Sequence, residues 1–267
     1  MLRVRFLGTG PAGGRPGRGH SGRMESSLVV TSPSTTILVD VTRDFAAQVR
    51  GIDRLDLVLV THAHRDASGG VVALDRWLRA PVPLFASRHT IRTLRARHHA
   101  LSHVTLRAVP SGATIAERQL RVTPLLVPHA PDCSTFAWRI EHGGVALVYA
   151  SDIARLTAHF AEFCAGCDLL VLDGAMWGRS LYTHLELHAT APIVAGWPVR
   201  RILFTQLGRS TPPHAVLDRY LRAIDSRIGA AYDGLELAIS PTRAPRCTAR
   251  SGARAAPMGR RMHGGPP

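Results

Sequence analysis

The sequence predicts one α/β domain built from many short strands and a smaller number of helices. The chain has 267 residues, 45% of them hydrophobic, which is enough to form one substantial core. Short β-branched runs alternate with segments of helical periodicity along most of its length. Glycine and proline are scattered between these runs and mark the turns that separate them.

The individual elements follow from hydrophobic period and from turn signals. Strands are predicted for residues 4–7, 27–31, 36–40, 55–61, 82–86, 120–127, 135–140, 145–150, 169–172, 202–205 and 235–239. Helices are predicted for residues 70–78, 89–97, 154–164, 186–196 and 212–228. The last helix opens with a Thr-Pro-Pro start signal.

The C-terminal segment 241–267 differs from the rest of the chain in composition. It consists mainly of Pro, Gly, Ala and Arg, so it cannot bury enough apolar surface to offset the entropy of ordering. We therefore expect a folded domain over residues 1–240 and a disordered tail after it.

The net charge of +14 is a weak indicator of a binding partner. A basic balance of this size ordinarily favours nucleic acid or another polyanion. All 33 basic residues are arginine, however, and a chain without lysine reflects a coding bias more readily than selection for phosphate contacts. Nucleic acid is thus only weakly supported as a partner.

The compartment is inferred from the start of the chain and from its cysteines. Residues 1–8 lead directly into a strand pattern, without an apolar stretch of signal-peptide or membrane-spanning length. Four irregularly spaced cysteines do not form a disulfide framework, which favours reduced thiols. We expect a soluble, cytoplasmic protein that does not bind a membrane.

The segment most informative about chemistry follows the apolar strand that contains residues 57–60. The strand runs into Thr-His-Ala-His-Arg-Asp, which contains His62, His64 and Asp66. Residues two apart on an extended segment project to the same side, so the two imidazoles can converge on one ion. This spacing resembles the HxHxDH signature of the metallo-β-lactamase superfamily.

The resemblance continues along the chain in the expected order. His129 is similar to the third metal-binding histidine of that family, and Asp152 to its bridging aspartate. Segments 6–10, 26–27, 38–40 and 231–234 resemble the branch that contains the tRNA 3′-processing endonucleases and the cyclic phosphodiesterases of phosphonate breakdown. The resemblance covers about residues 1–240. It implies an αββα sandwich of two mixed β-sheets flanked by helices, with the active site at one edge.

Two positions depart from the family signature, and both belong to the second metal. Ala67 stands where a histidine is expected, and Gln206 replaces the histidine that follows the last core strand. Alanine cannot coordinate an ion, and a neutral amide is a much weaker zinc ligand than imidazole. The resemblance therefore implies a single ion held by His62, His64, His129 and Asp152, with Asp66 beside it.

Two residues are predicted to take part in the chemistry, namely Asp66, which is also a candidate metal-binding residue, and His184. Asp66 can orient or deprotonate a water. His184, in Tyr-Thr-His-Leu-Glu, stands where this branch carries the histidine that protonates the leaving group. His188, one helical turn further on, is expected to be a helix-surface residue.

These assignments predict a metal-dependent hydrolase. One Zn²⁺ per chain is expected, with Mn²⁺ or Fe²⁺ as alternatives, and a metal-bound hydroxide would serve as nucleophile on a phosphodiester. The substrate would be a small-molecule or nucleotide ester, and the chain could act as a homodimer. Two other functions remain open, namely hydrolysis of a thioester or lactone and a non-catalytic or biosynthetic accessory role.

Overall fold

In the computed structural model, which describes residues 1–241, two β-sheets of seven strands each lie face to face. The strands are β1 (Leu2–Gly8), β2 (Ser27–Thr31), β3 (Thr36–Val39), β4 (Leu57–Leu59), β5 (Val82–Ala86), β6 (Val104–Ala108), β7 (Ile115–Glu117), β8 (Leu120–Val127), β9 (Thr135–His142), β10 (Val145–Ala150), β11 (Leu169–Asp173), β12 (Ile202–Thr205), β13 (Ile228–Ala230) and β14 (Glu236–Ile239). The helices are α1 (Phe45–Gln48), α2 (Arg65–Ser68), α3 (Val71–Trp77), α4 (Arg88–Arg97), α5 (Ala158–Cys164), α6 (Leu187–Ala195) and α7 (His214–Ile224), together with a 3₁₀ turn at Gly19–Ser21.

Each sheet combines an antiparallel half with a parallel half. The first sheet has the order β14-β1-β2-β3-β4-β5-β6, with antiparallel pairing as far as β3 and parallel pairing from β3 to β6. The second has the order β13-β12-β11-β10-β9-β8-β7, parallel as far as β10 and antiparallel beyond it. In parallel strands the carboxyl ends lie at the same edge, and residues that follow these strands are brought together there.

Three apolar clusters hold four layers together. One cluster lies between the sheets and includes Phe6, Trp138 and Tyr149. A second packs the first sheet against α3 and α4, and a third packs the second sheet against α5, α6 and α7. In β4, Leu57 and Leu59 belong to the cluster between the sheets, whereas Val58 belongs to the outer one. A strand buried on both faces needs apolar residues at every position, which explains the continuous run before His62.

The predicted αββα sandwich of two mixed sheets is confirmed, and most predicted elements are present with shifted ends. Strands β6, β7 and β13 were not predicted. The helix predicted over 212–228 is wrong at its end, because α7 ends at Ile224 and Ile228 begins β13. The turn between them forms around Asp225, whose carboxylate accepts a hydrogen bond from the Arg227 amide at 2.8 Å.

Two expectations from the sequence concern the C-terminal tail and the absence of a membrane-spanning segment. The predicted tail at 241–267 falls almost wholly outside the described residues. Within residues 1–241, no helix combines the length and apolarity needed to cross a bilayer.

Candidate metal centre

The candidate site lies at the edge where the carboxyl ends of strands from both sheets meet. His62 and His64 follow β4, His129 follows β8, and Asp152 follows β10. Strand β4 belongs to the first sheet, whereas β8 and β10 belong to the second. The four side chains that the sequence predicts as metal ligands are therefore brought together from both halves of the molecule.

Three imidazoles converge in this site. The ring centroids of His62 and His64 are 4.7 Å apart, and those of His62 and His129 are 5.1 Å apart. One ring nitrogen from each of the three histidines lies within 4.8 Å of the others. His62 is completely buried, and its Nε2 has no hydrogen-bond partner among the described residues.

Hydrogen bonds behind the rings of His62 and His129 determine which nitrogen of these two rings faces the site. Asp40 accepts a hydrogen bond from the Thr61 hydroxyl at 2.9 Å, and that hydroxyl contacts Nδ1 of His62 at 2.9 Å. Nδ1 of His129 lies 2.7 Å from the carbonyl oxygen of Thr183. When Nδ1 carries the proton and donates it outward, Nε2 presents a lone pair to the site.

Asp152 provides a buried carboxylate next to the imidazoles. The Ser151 hydroxyl donates to its Oδ2 at 2.6 Å, and its Oδ1 lies 3.9 Å from Nε2 of His129. Burial opposes ionisation, but the surrounding imidazoles and the Ser151 hydroxyl lower the pKa of Asp152 to about 2. Asp152 therefore remains an anion at neutral pH.

These donors fit a divalent metal ion. Burial lowers the pKa of His62 to about 3, so its ring is neutral and Nε2 can coordinate. A buried polar nitrogen without a partner is unfavourable, and an ion would supply the missing interaction. Neutral imidazoles combined with one carboxylate form a ligand set that suits zinc and also accommodates other first-row divalent ions.

The two positions that depart from the family signature lie beside Asp66. Ala67 is buried and provides no ligand. The side-chain amide nitrogen of Gln206 lies 3.2 Å from Oδ2 of Asp66 and 3.0 Å from Oδ1 of Asp152. The other carboxylate oxygen of Asp66 is 3.9 Å from Nε2 of His62. Gln206 therefore contacts both acidic groups of the site.

His184 lies on the second-sheet side of the site, next to His129. Their ring centroids are 5.0 Å apart, and Nδ1 of His184 lies 2.7 Å from Oδ2 of Asp173. Asp173 also accepts hydrogen bonds from the amides of Ile153 and Ala175, at 3.0 and 2.8 Å. Burial opposes protonation, but the charge and hydrogen bond of Asp173 raise the pKa of His184 to about 9.

A cavity of about 290 Å³ opens onto these groups. His64, His129 and His184 line it together with Arg43 and Arg65. The guanidinium of Arg43 is held by the buried carboxylate of Glu25, which also accepts a hydrogen bond from the Gly13 amide at 2.8 Å. Two arginines therefore line the cavity, and the charge of Arg43 is balanced by Glu25.

Sequence reasoning missed the residues that support the ligands from behind. Asp173 could have been noticed from the sequence. The apolar run of β11 ends in this acid, in the same way that Asp152 follows the apolar run of β10. Asp40 and Thr61 adjoin apolar strands that resemble ordinary core strands. The side chain of His188 is partly exposed on α6, as predicted, and its ring also packs against Trp177 at a centroid distance of 3.9 Å.

Comparison with known proteins agrees with the fold. The family model described as "Beta-lactamase superfamily domain" matches residues 31–205. The chain belongs to the metallo-β-lactamase superfamily, whose members are mostly hydrolases.

Individual relatives differ in the activities for which they are named. An octanoyltransferase of Porphyromonas gingivalis is 26% identical over an alignment of 262 residues that covers 89% of this chain and only 52% of that protein. A ribonuclease Z of Mycolicibacterium paratuberculosis is 29% identical over an alignment of 202 residues that covers 64% of this chain and 69% of the relative. The solved structure of a diphosphatase from the PhnP family is 26% identical, with a TM-score of 0.78 over 88% of this chain and 96% of that one.

Proposed function

We propose that the chain is a hydrolase that holds one divalent ion, preferably Zn²⁺, and cleaves a phosphodiester in a small-molecule or nucleotide substrate. The buried Nε2 of His62, which has no hydrogen-bond partner among residues 1–241 and faces His129 and Asp152, is the observation that carries this proposal. His64 completes the ligand set. An ion held by this set supplies a Lewis acid and a source of nucleophilic water near neutral pH.

Asp66 is proposed to orient the attacking water. Its Oδ1 faces Nε2 of His62 at 3.9 Å, whereas its Oδ2 is held by Gln206. Burial and the neighbouring charge of Asp152 raise the pKa of Asp66 to about 6, which brings it closer to the range of a general base.

His184 is proposed to donate a proton to the leaving oxygen. Asp173 binds Nδ1, which leaves Nε2 as the ring nitrogen available to the substrate. Arg43 and Arg65 line the same cavity and complement the negative charge of a phosphodiester. In this way the two arginines supply part of the stabilisation that a second ion provides in a dinuclear site.

Two of the relatives favour phosphate chemistry, and one suggests an alternative. The ribonuclease and the diphosphatase are both named for reactions at phosphorus. The octanoyltransferase is named for an acyl transfer, but this chain matches only about half of it. Thioester hydrolysis is therefore the second candidate, and lactones are tested with it.

The test combines metal analysis with a substrate panel on the full chain. Metal-free protein is reconstituted with Zn²⁺, Mn²⁺ or Fe²⁺, and bound metal is counted. The panel comprises bis(p-nitrophenyl) phosphate, cyclic nucleotides, a short RNA, an acyl thioester and a lactone. We expect about one ion per chain and phosphodiester cleavage. His129→Ala should remove both, whereas His159→Ala, at an exposed histidine on α5, should preserve both.

Each other outcome rejects a defined part of the proposal. Metal binding with thioester or lactone cleavage alone would transfer the function to the second candidate. Protein that binds no ion, although folded, would favour the non-catalytic accessory role.

A further inference from the structure

Gln206 has an unusual backbone conformation and contacts both Asp66 and Asp152. Its φ is +58°, in the left-handed region that residues with a Cβ rarely adopt. Its backbone N–H donates to the Ser26 hydroxyl at 3.0 Å. The same hydroxyl contacts the hydroxyl of Thr205 at 3.0 Å. The side chain is buried, so it has few alternative positions. The backbone conformation and the burial together restrict where the side-chain amide lies.

The orientation of the Gln206 amide follows from its neighbours. Its nitrogen lies 3.2 Å from Asp66 and 3.0 Å from Asp152, and both contacts are made to carboxylate oxygens. A primary amide nitrogen has two hydrogens, one for each acid, whereas the amide oxygen would repel both. The two hydrogens thus lie between two acids of like charge.

We propose that Gln206 is a positioning residue that takes the place of a second cation: its amide bridges Asp66 and Asp152, excludes a second ion and turns the free oxygen of Asp66 toward His62. The amide nitrogen occupies the space that an ion bridging Oδ2 of Asp66 and Oδ1 of Asp152 would need. Ala67 offers no ligand that could hold such an ion to one side. The proposal rests on the proposed metal centre and is independent of the substrate.

The first test is metal stoichiometry. Metal-free protein is titrated with Zn²⁺ or Mn²⁺ in excess, separated from free ion and analysed for bound metal. The native chain should retain one equivalent. Gln206→Glu exchanges the bridging donor for a carboxylate and should retain two, whereas Gln119→Glu, at an exposed turn residue, should retain one. Two equivalents in the native chain, or one in Gln206→Glu, would overturn the proposal. No ion in the native chain would instead reject the proposed metal centre.

The second test separates the bridge from simple packing. Gln206→Met preserves side-chain volume but removes both donors, so like charges on Asp66 and Asp152 face each other. The melting temperature of the metal-free protein should fall by several degrees. Adding Asp66→Asn should recover most of that loss, because it removes one charge and supplies an amide. Loss without recovery, or an unchanged melting temperature in Gln206→Met, would show that Gln206 does not act as a bridge.

Discussion

The contact between His184 and Asp173 leads to a prediction that depends on the leaving group. The distance between Nδ1 and Oδ2 is 2.7 Å, and the carboxylate is fully buried. A hydrogen bond to a charged group contributes about 1.5–3 kcal/mol, which corresponds to about a 10- to 100-fold change in rate. Asp173→Asn should therefore lower kcat by about that factor when the leaving oxygen needs a proton.

The assay compares two phosphodiesters that differ only in the leaving group. An alkyl ester leaves as an alkoxide and requires protonation, whereas nitrophenolate leaves without it. On the alkyl ester, His184→Ala should lower kcat by about 10²–10⁴-fold, the usual contribution of general acid catalysis. On the nitrophenyl ester, both variants should retain most of their activity. Metal content is measured in parallel and should remain unchanged.

The pair formed by His188 and Glu186 provides a matched control. Its ring nitrogen and carboxylate are 2.9 Å apart, but neither residue lines the cavity of the metal centre. Glu186→Gln should leave both rates unchanged. An equal loss on both esters in Asp173→Asn, or a loss of bound metal in His184→Ala, would refute the role of this pair in proton transfer.

Two further predictions concern support of the ligands and of the fold. Thr61→Val removes the hydroxyl that contacts His62, and it should weaken metal affinity by about 10- to 100-fold. Competition with a chelator measures this affinity. The control variant Thr93→Val, on α4, should leave the affinity unchanged. Asp75→Ala removes a carboxylate that accepts backbone N–H bonds at 3.0, 2.7 and 2.8 Å, and it should lower the free energy of unfolding by about 1–3 kcal/mol. Urea unfolding measures this loss, and Asp53→Ala at an exposed position should change it little. No difference between either variant and its control would contradict the structural reasoning.

The parts of the fold that could be predicted are those in which burial determines residue type. Strands β4, β10 and β11 are buried on both faces, so continuous apolar runs mark them. Strand β6 was missed because it is only partly buried, and hydrogen bonds to β5 define it more than residue type does. Backbone pairing of this kind leaves little trace in a sequence.

The site was predictable where ligand chemistry restricts the residue, and unpredictable where only distance matters. Imidazole spacing indicated His62 and His64, and the resemblance to the metallo-β-lactamase superfamily indicated His129 and Asp152. The spacing could not show that Gln206 reaches two acids, because 140 residues separate it from Asp66. That contact depends on how strands from the two sheets are docked.

The distribution of the candidate ligands between the two sheets also affects how the protein unfolds. Two histidines of the site follow a strand of the first sheet, and His129 and Asp152 follow strands of the second. An ion bound by all four resists separation of the sheets, with a contribution that grows with the logarithm of free ion concentration. Amide protons that exchange only when the layers separate should then slow as metal is added, whereas those released by local fraying should not. Hydrogen exchange would in this way identify the residues that are protected by the packing of the two sheets against each other.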